Sequence, residues 1–503
     1  MRRRVVLASE AVADAEGTQA RAFHGGRVDR TARRLVRASG YELVTKPLKP
    51  ETETSPVRTT IAKQADLFSP AVDHELSKEL GQIHEVLIAH PEWIRWVHRD
   101  LTRAQGVSAR KGRSGMSASM VLRVGLLKHR LDMALRRLAP LLADSLSLRE
   151  FVGLSSWDPT PKRSTLQENL AKIRPETWGK ILKGTIVSAE AQAFEDCNEA
   201  RIDCTVVATN IHEPSDSSLL WDCVRVLTRL MKESRESFGV EFEDHRRAAK
   251  RLHTKIYWAR KKSQRVPAYG AFLEVAAKVD VEVTRVVRRL EGLRLGCPHL
   301  LEELHTYQGY LWRVMDQTRR RVIEGETVPP REKLFSIFEP ETDMIAKGRR
   351  RPQFGHKVTI TAGRTGLVLD CVIERGNPAD VTLTLRQLER VTELRGEAPR
   401  DAILDGGFAS RANLEGAKAL GVERCVFSKS KGLSQEEMAG SRRTFGRMKR
   451  RRAGIEGIIS RLKRAFGLRR CTWKGWRRFQ SYVWSAIVAA NLTKLARLRL
   501  GAT

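Results

Sequence analysis

The chain has 503 residues, 41 % of them hydrophobic, which is enough apolar sequence for more than one folded core. Its 91 Lys and Arg residues against 59 Asp and Glu give a formal charge of +32, and such an excess is typical of proteins that bind polyanions, above all nucleic acid. The seven cysteines are widely spread without a C-x-x-C pair, which argues against a disulfide framework and a zinc ribbon and favours a reducing compartment. The start is a poor signal peptide, and the longest apolar stretch, YVWSAIVAANL, is far below the roughly 18 residues of a membrane span, so we expect a cytoplasmic protein.

The first part of the chain divides into an arm and a helical region. Residues 1–71 are predicted to be a disordered or linker arm, because they combine scattered charges with the Pro/Thr-rich segment TKPLKPETETSPVRTT. Residues 72–195 are predicted to be helical, because apolar residues recur at three- and four-residue spacing in ASMVLRVGLLKHRLDMALRRLAPLL. The pattern leaves two interpretations open for this region, a structural helical bundle and a domain that recognises DNA ends.

The periodicity changes near residue 200. RIDCTVVATN predicts a strand, GHKVTITAG and GLVLDCVIERG predict a hairpin with its turn at Gly363, and AILD and ERCVFS predict strands separated by helices. This order is typical of a mixed α/β core, here assigned to 196–214 and 346–500. The intervening residues 215–345 show charged helical patterns and no strand pattern, so they are predicted to be a helical insertion.

Three acids lie at positions suited to holding a catalytic metal. Asp203 and Asp405 are predicted at strand ends, the second before a pair of glycines, and Glu456 lies in the basic helical stretch RRRAGIEGIISRLKRAFG. Phosphodiester cleavage needs an activated oxygen on one side of phosphorus and stabilisation of the departing oxygen on the other, and two Mg²⁺ ions about 3.5–4 Å apart supply both. Mg²⁺ prefers hard oxygen ligands, so a few converging carboxylates would suffice.

Each acid taken singly also has a purely structural interpretation. Asp203 could pair with Arg201, Asp405 could form an ordinary Asp-Gly turn, and Glu456 could pair with Arg452 one helical turn earlier for a few tenths of a kcal/mol. Their joint occurrence on a strongly cationic chain favours the metal site.

The neighbourhood of Glu456 supports a role at DNA. Arg452 precedes it by four residues and Lys463 follows it by seven, so the three side chains fall on nearly one helix face. A carboxylate between two cations can hold a metal while the cations contact flanking phosphates. Gly454 and Gly457 are costly inside a helix and are best tolerated where something must approach closely.

At this point the residues resemble a known family, the DDE transposases of bacterial insertion sequences. The resemblance covers about 72–495 and rests on IDCTVVATNIHEPSDSSLL, FGHKVTI, LDGGFASRANLEGAKALGV and RRRAGIEGIISRLKRAFGLRRC. The last segment matches an Arg-x3-Glu-x6-Lys signature through Arg452, Glu456 and Lys463. The Tyr that some members carry three residues before this Arg is Lys449 here, so a role of that Tyr is not carried over.

The resemblance implies a fold and a reaction. The fold would be an α/β RNase H-like (retroviral-integrase-type) core with a helical insertion, preceded by an all-α N-terminal domain that recognises terminal inverted repeats. Asp203, Asp405 and Glu456 would form the catalytic, metal-binding triad for two Mg²⁺ ions, with Mn²⁺ as a substitute. The partners would be double-stranded DNA of the element ends and of the target, bound by a homo-oligomer in the bacterial cytoplasm at the nucleoid, with no membrane involved.

Two further positions carry weaker signals. Lys357, in the segment before the predicted hairpin turn, is a plausible phosphate contact in addition to Arg452 and Lys463. His212, with Glu213 and Asp216, could form a metal site, but a loop contact is the favoured interpretation.

Two alternative functions stay open. One is a catalytically inactive DNA-binding regulator derived from a transposase, against which the intact set of three acids argues. The other is a structure-specific nuclease of the same fold that does not join DNA. Inverted repeats flanking the gene would favour the transposase over both.

Overall fold

A computed structural model of the protein describes residues 74–103, 115–293, 298–346 and 351–501. The arm predicted over 1–71 lies outside the described residues. Within the described ranges, no helix is both long enough and apolar enough to cross a membrane.

The described chain before the first strand is helical. Ser117 caps one helix by accepting a hydrogen bond from the amide of Met120, Pro175 begins another, and Gly153 ends a short one in the left-handed conformation. The mostly helical N-terminal region predicted from the sequence is therefore present. Its helices are α1 (Glu75–Ala89), α2 (Pro91–Arg103), α3 (Ala118–Arg130), α4 (Leu135–Asp144), α5 (Leu146–Val152), α6 (Arg163–Leu170) and α7 (Pro175–Ala191).

The described strands form one mixed sheet. They are β1 (Glu199–Ala208), β2 (Asp343–Ile345), β3 (Gln353–Ala362), β4 (Val368–Ile373), β5 (Asp401–Leu404) and β6 (Arg424–Phe427). Their order is β2-β3-β1-β5-β6, and β4 also pairs with β3. The central β1 is antiparallel to β3 and parallel to β5, which is parallel to β6. The predicted hairpin is confirmed, because β3 and β4 pair in antiparallel fashion across a turn in which Gly366 has a φ of 89°.

Helices with a core of their own lie between β1 and β2. They are α8 (Asp216–Phe238), α9 (Arg246–Trp258), α10 (Lys262–Gly292) and α11 (Pro298–Thr318), and a π-helical turn (Arg319–Ile323) follows. Their apolar side chains form a cluster around residues such as Leu227 and Phe272. Asp216, at the start of α8, accepts hydrogen bonds from Arg321 at 2.8 Å and from Gln317 at 3.1 Å. These bonds join the beginning and the end of the inserted segment close to the sheet.

Helices after β4 cover both faces of the sheet. They are α12 (Thr384–Arg395), α13 (Arg411–Ala419), α14 (Gln435–Ala439), α15 (Arg442–Arg451), α16 (Ala453–Ala465) and α17 (Trp476–Arg499). Ile202 and Phe427 belong to one apolar cluster, whereas Val207 packs in another that also contains Trp178 of α7 and Val488 of α17. The N-terminal helices therefore share a core with the sheet and with the C-terminal helix.

Candidate active site

Asp203 lies on the central strand of the sheet. The expectation that it ends a strand is wrong: β1 continues to Ala208, and Asp203 is paired with Ile360 of β3 in its interior. The β-branched run after the acid explains the difference, because Thr205, Val206 and Val207 extend the strand. Alternation along a strand puts Asp203 on the face opposite Ile202, and this face meets α16.

Asp405 follows the last residue of β5, as predicted. Leu404 is paired with Ile202 of β1, and the two strands are parallel. Asp405 and Asp203, the residues that follow this pair, therefore lie next to each other on adjacent strands. The Ser428 hydroxyl donates a hydrogen bond of 2.7 Å to Oδ1 of Asp405. The register of the sheet thus brings together two acids that are 202 positions apart in the sequence.

The surroundings of Asp405 keep its carboxyl group ionised. Partial burial alone would raise its pKa, but the hydrogen bond from Ser428, the amide of Gly406 and the positive charges of Arg452 and Lys429 outweigh burial. The pKa of Asp405 therefore lies below its ordinary value, and the carboxylate is available as an oxygen ligand at neutral pH.

Glu456 approaches the two aspartates from a helix. It lies in the first turn of α16, and the predicted single basic helix is divided at Arg452, which stands between α15 and α16. The three carboxylates differ in exposure, with side-chain values of 20 % for Asp203, 41 % for Asp405 and 57 % for Glu456. All three are therefore accessible to a ligand from solvent.

One guanidinium group contacts all three acids. The Nη atoms of Arg452 lie 3.8 Å from Oδ2 of Asp203, 3.6 Å from Oδ1 of Asp405 and 2.6 Å from Oε1 of Glu456. The last two distances involve the same Nη2 atom, so the oxygens of Asp405 and Glu456 are no farther apart than the sum of the two. The side chains from β1, β5 and α16 thus converge on one positive charge.

The donor set of this site fits a hard divalent cation. Its three carboxylates supply the oxygen ligands that Mg²⁺ and Mn²⁺ prefer, and their common neighbour is already a cation. In the present arrangement, the described residues contain no group of three or more His, Cys, Asp or Glu side chains close enough to hold a metal. The acids therefore gather around Arg452 rather than directly around one another.

The buried side chain of Arg201 packs against the beginning of α16. Gly454 lies against the Arg201 guanidinium, and a Cβ added at this glycine would overlap it. Arg201 is held in turn by Glu199 at 3.4 Å and by the carbonyl of Arg364 at 3.1 Å, and Glu199 pairs with Arg451 at 2.7 Å. The sequence indicated that something approaches Gly454, and the structure identifies it as an arginine of this chain. Sequence reasoning assigned Arg201 only as a possible partner of Asp203.

A wide basic groove lies at the far end of α16. It encloses about 1950 Å³, and Val206 and Ala208 of β1 are among its lining residues together with Ser460 and Lys463 of α16. The N-terminal helical region contributes the other wall through the turn and helix at 132–137. The cationic residues that line the groove are Lys128, Arg136, Arg137, Arg351, Lys463, Arg464, Arg469 and Arg470, and the acidic ones are Asp132 and Glu213. Lys463 was predicted as a DNA contact, but the arginines at 136 and 137 were not.

Lys357 and His212 have protein partners. The Lys357 ammonium is 2.6 Å from Oδ1 of Asp380, and its side chain is 5 % exposed, so a direct phosphate contact would require this ion pair to open. Nε2 of His212 lies 2.9 Å from Asp222, and its Nδ1 lies 3.1 Å from the carbonyl of Glu213. The favoured interpretation of His212 as a loop contact is confirmed.

Two family models match the chain. Residues 317–492 match the family described as "Transposase DDE domain", and residues 82–172 match "Transposase domain (DUF772)". The first match includes Asp405 and Glu456 and begins after Asp203, and the second lies in the part of the chain that precedes β1. No curated protein and no solved structure matches the chain.

Proposed function

We propose that this chain, a DDE transposase of an insertion sequence by its two matched regions, cuts DNA at the element ends and joins the freed end to target DNA. The observation that carries this proposal is the convergence of Asp203, Asp405 and Glu456 on one cationic position, from two adjacent strands and a helix. The mixed α/β sheet would be the RNase H-like core of the family, interrupted between β1 and β2 by the helical insertion.

The three carboxylates would hold the divalent ions. When bound, two Mg²⁺ or Mn²⁺ ions supply activation of the attacking oxygen and stabilisation of the departing one. Asp405 contributes a carboxylate that is held in place by the Ser428 hydroxyl and ionised at neutral pH. Asp203 is fixed by the sheet, and Glu456 is the most exposed of the three, on a helix whose first residues pack against buried Arg201.

The basic groove would bind the DNA backbone. Its cations come from α16 and the following segment on one side and from the N-terminal helical region on the other, so DNA in the groove would contact both matched regions. Lys463 connects the groove to the acids, because it lies two helical turns after Glu456 on α16. The helical region would then contribute to binding the terminal inverted repeats, and a homo-oligomer would hold the two element ends together.

A cleavage and joining assay tests this function. The full chain is incubated with a labelled duplex from the DNA that flanks its own gene, with Mg²⁺ or Mn²⁺, and both nicked and joined products are measured. Asp203→Asn and Glu456→Gln are expected to reduce cleavage by more than about 100-fold, because each removes a charged ligand from the site. Glu436→Gln is the matched control, since Glu436 is an exposed carboxylate on α14, a different helix from that of Glu456, and pairs with Arg442 at 3.2 Å.

The outcomes separate the three functions. Metal-dependent cleavage followed by joining, lost in both site variants and kept in the control, supports the transposase. Cleavage that is never followed by joining would identify a nuclease. Tight DNA binding without any cleavage, on ends confirmed as inverted repeats, would identify a DNA-binding regulator.

A further inference from the structure

We propose that Arg452 acts as an internal counter-cation that competes with the metal ions in the DNA-free protein, and that DNA removes this competition by drawing the guanidinium to a phosphate. Metal uptake by the three acids would then depend on DNA. The inference rests on the proposed function, because it concerns the same site, and it assigns Arg452 a regulatory contact in addition to the phosphate contact predicted from the sequence.

The position of Arg452 carries the first step. Its guanidinium lies within 4 Å of the carboxylates of Asp203, Asp405 and Glu456, and its side chain is 21 % exposed. A guanidinium presents five donors in a planar fork, so it can satisfy several carboxylate oxygens at once. In this conformation the guanidinium neutralises part of the negative charge of the three acids and occupies the position on which their carboxylates converge.

Electrostatics carries the second step. A divalent ion bound by the same carboxylates would stand beside the guanidinium, and two cations in contact in a partly buried site repel each other. The acids therefore favour either the guanidinium or the metal. Because removing the guanidinium breaks its contacts with Asp203, Asp405 and Glu456, metal binding without DNA is weakened by the free energy of these contacts.

The DNA backbone offers Arg452 a replacement partner. Arginine binds phosphate through two parallel hydrogen bonds and is suited to this exchange. The groove residues Lys463 and Arg464 lie on α16, the helix that Arg452 immediately precedes, so a DNA strand that extends from the groove along this helix would bring a phosphate to Arg452. By linkage, a DNA phosphate that takes up the guanidinium tightens metal binding, and the metal tightens DNA binding by the same factor.

The neighbouring arginine provides a matched control. Arg451 has the same charge and precedes Arg452 by one residue, but it pairs with Glu199 at 2.7 Å, and no ion pair joins it to the three acids. Arg451→Gln therefore removes one positive charge from the same region without removing the guanidinium from the site. Any effect of net charge on metal affinity appears in both variants, whereas relief of competition appears only in Arg452→Gln.

The experiment measures Mn²⁺ affinity directly. The full chain is titrated with Mn²⁺, free Mn²⁺ is followed by electron paramagnetic resonance, and each titration is repeated with a duplex from the gene's flanks. For the unmodified protein, DNA is expected to tighten Mn²⁺ binding about tenfold, in the usual range of coupling between two sites. Arg452→Gln is expected to bind Mn²⁺ without DNA about as tightly as the unmodified protein does with DNA, and to respond little to DNA. Arg452→Lys, which keeps a charge but lacks the planar fork, is expected to fall between the two.

Two results would overturn the inference. If Arg452→Gln binds Mn²⁺ no more tightly than Arg451→Gln, Arg452 does not compete with the metal. If the DNA-dependent tightening persists in Arg452→Gln, another element couples DNA to metal. Asp405→Asn separates these results from failure of the proposed function. If this variant binds Mn²⁺ as tightly as the unmodified protein, the ion binds outside the three acids, and both the inference and the proposed function are contradicted.

Discussion

Replacing Gly454 with alanine is expected to destabilise the protein, because the new methyl group would overlap the guanidinium of Arg201. Overlap with the end of a flexible side chain is often relieved by a small movement, but Arg201 is buried and is held by Glu199 and by the carbonyl of Arg364. A shift of Arg201 would break these contacts, and a shift of α16 would move the residues that approach Asp203. We therefore expect the cost of an overpacked site, about 1–3 kcal/mol in the free energy of unfolding.

Gly457→Ala in the same helix is the control. Nothing lies within 4 Å of a Cβ added there, so the substitution introduces no overlap. Alanine is favoured over glycine inside a helix by about 0.8–1 kcal/mol, and Gly457→Ala is expected to stabilise the protein by up to that amount. Gly454 is the second residue of α16, so its replacement with alanine gains less propensity than the replacement of Gly457, and this gain offsets only part of the overlap. The two variants should therefore differ by more than about 1 kcal/mol.

Urea unfolding followed by circular dichroism measures both variants under the same conditions. The expected result is a lower midpoint for Gly454→Ala and an equal or higher midpoint for Gly457→Ala, with unchanged slopes. Equal midpoints for the two variants would refute the reasoning, because they would show that Arg201 yields without cost.

Two further predictions concern the groove. Arg136→Gln combined with Arg137→Gln is expected to weaken DNA binding and to reduce the slope of log K against log salt by about 2, since each lost phosphate contact contributes about 0.9. The control is Lys162→Gln combined with Arg163→Gln, two exposed residues of the same helical region, which should leave the slope unchanged. Burial lowers the pKa of Lys128 to about 8, so its ammonium loses its proton as the pH rises from 7 to 9. Because Lys128 lines the groove, filter-binding titrations should show an additional loss of DNA affinity in this pH range that is absent from Lys128→Met. Parallel pH profiles for both proteins would contradict the prediction.

Part of this architecture follows from sequence pattern. The hairpin of β3 and β4 is predictable because two alternating apolar runs flank a glycine-rich turn, and local chemistry specifies such a unit. Asp405 is predictable as a strand-end residue because AILD is short and glycines follow it at once. In both cases the signal lies within a few adjacent residues.

The positions that the sequence misassigned depend on contacts between distant segments. Asp203 was expected at a strand end, but the pairing of β1 with β3 extends as far as Ala208 and leaves the acid in the interior. Arg452 and Glu456 were expected on one uninterrupted helix, whereas the chain breaks at Arg452 and its side chain also reaches the two aspartates. A helical period does not contain information about a partner more than 200 residues away.

The groove shows the same limit. Its walls come from residues 128–137, from the end of β1 and from 460–472, which only the shared core of the N-terminal helices, the sheet and α17 brings together. Composition alone predicted a polyanion partner from the charge of +32, but it did not indicate which of the 91 Lys and Arg residues face a common groove. Packing decides that selection.

A change of ligand chemistry at Asp405 tests most directly whether the three acids form a metal-dependent DNA-cleaving site. Asp405→Cys replaces a hard carboxylate with a softer thiolate, which binds Mg²⁺ poorly and accepts Mn²⁺ better. We predict that this variant does not cleave the flanking duplex with Mg²⁺ and regains measurable cleavage with Mn²⁺, while Asp405→Ala stays inactive with both ions. Two results would contradict the assignment of Asp405 as a metal ligand. One is full activity of Asp405→Cys with Mg²⁺. The other is that Asp405→Cys and Asp405→Ala are equally inactive under conditions in which the unmodified protein cleaves with either ion.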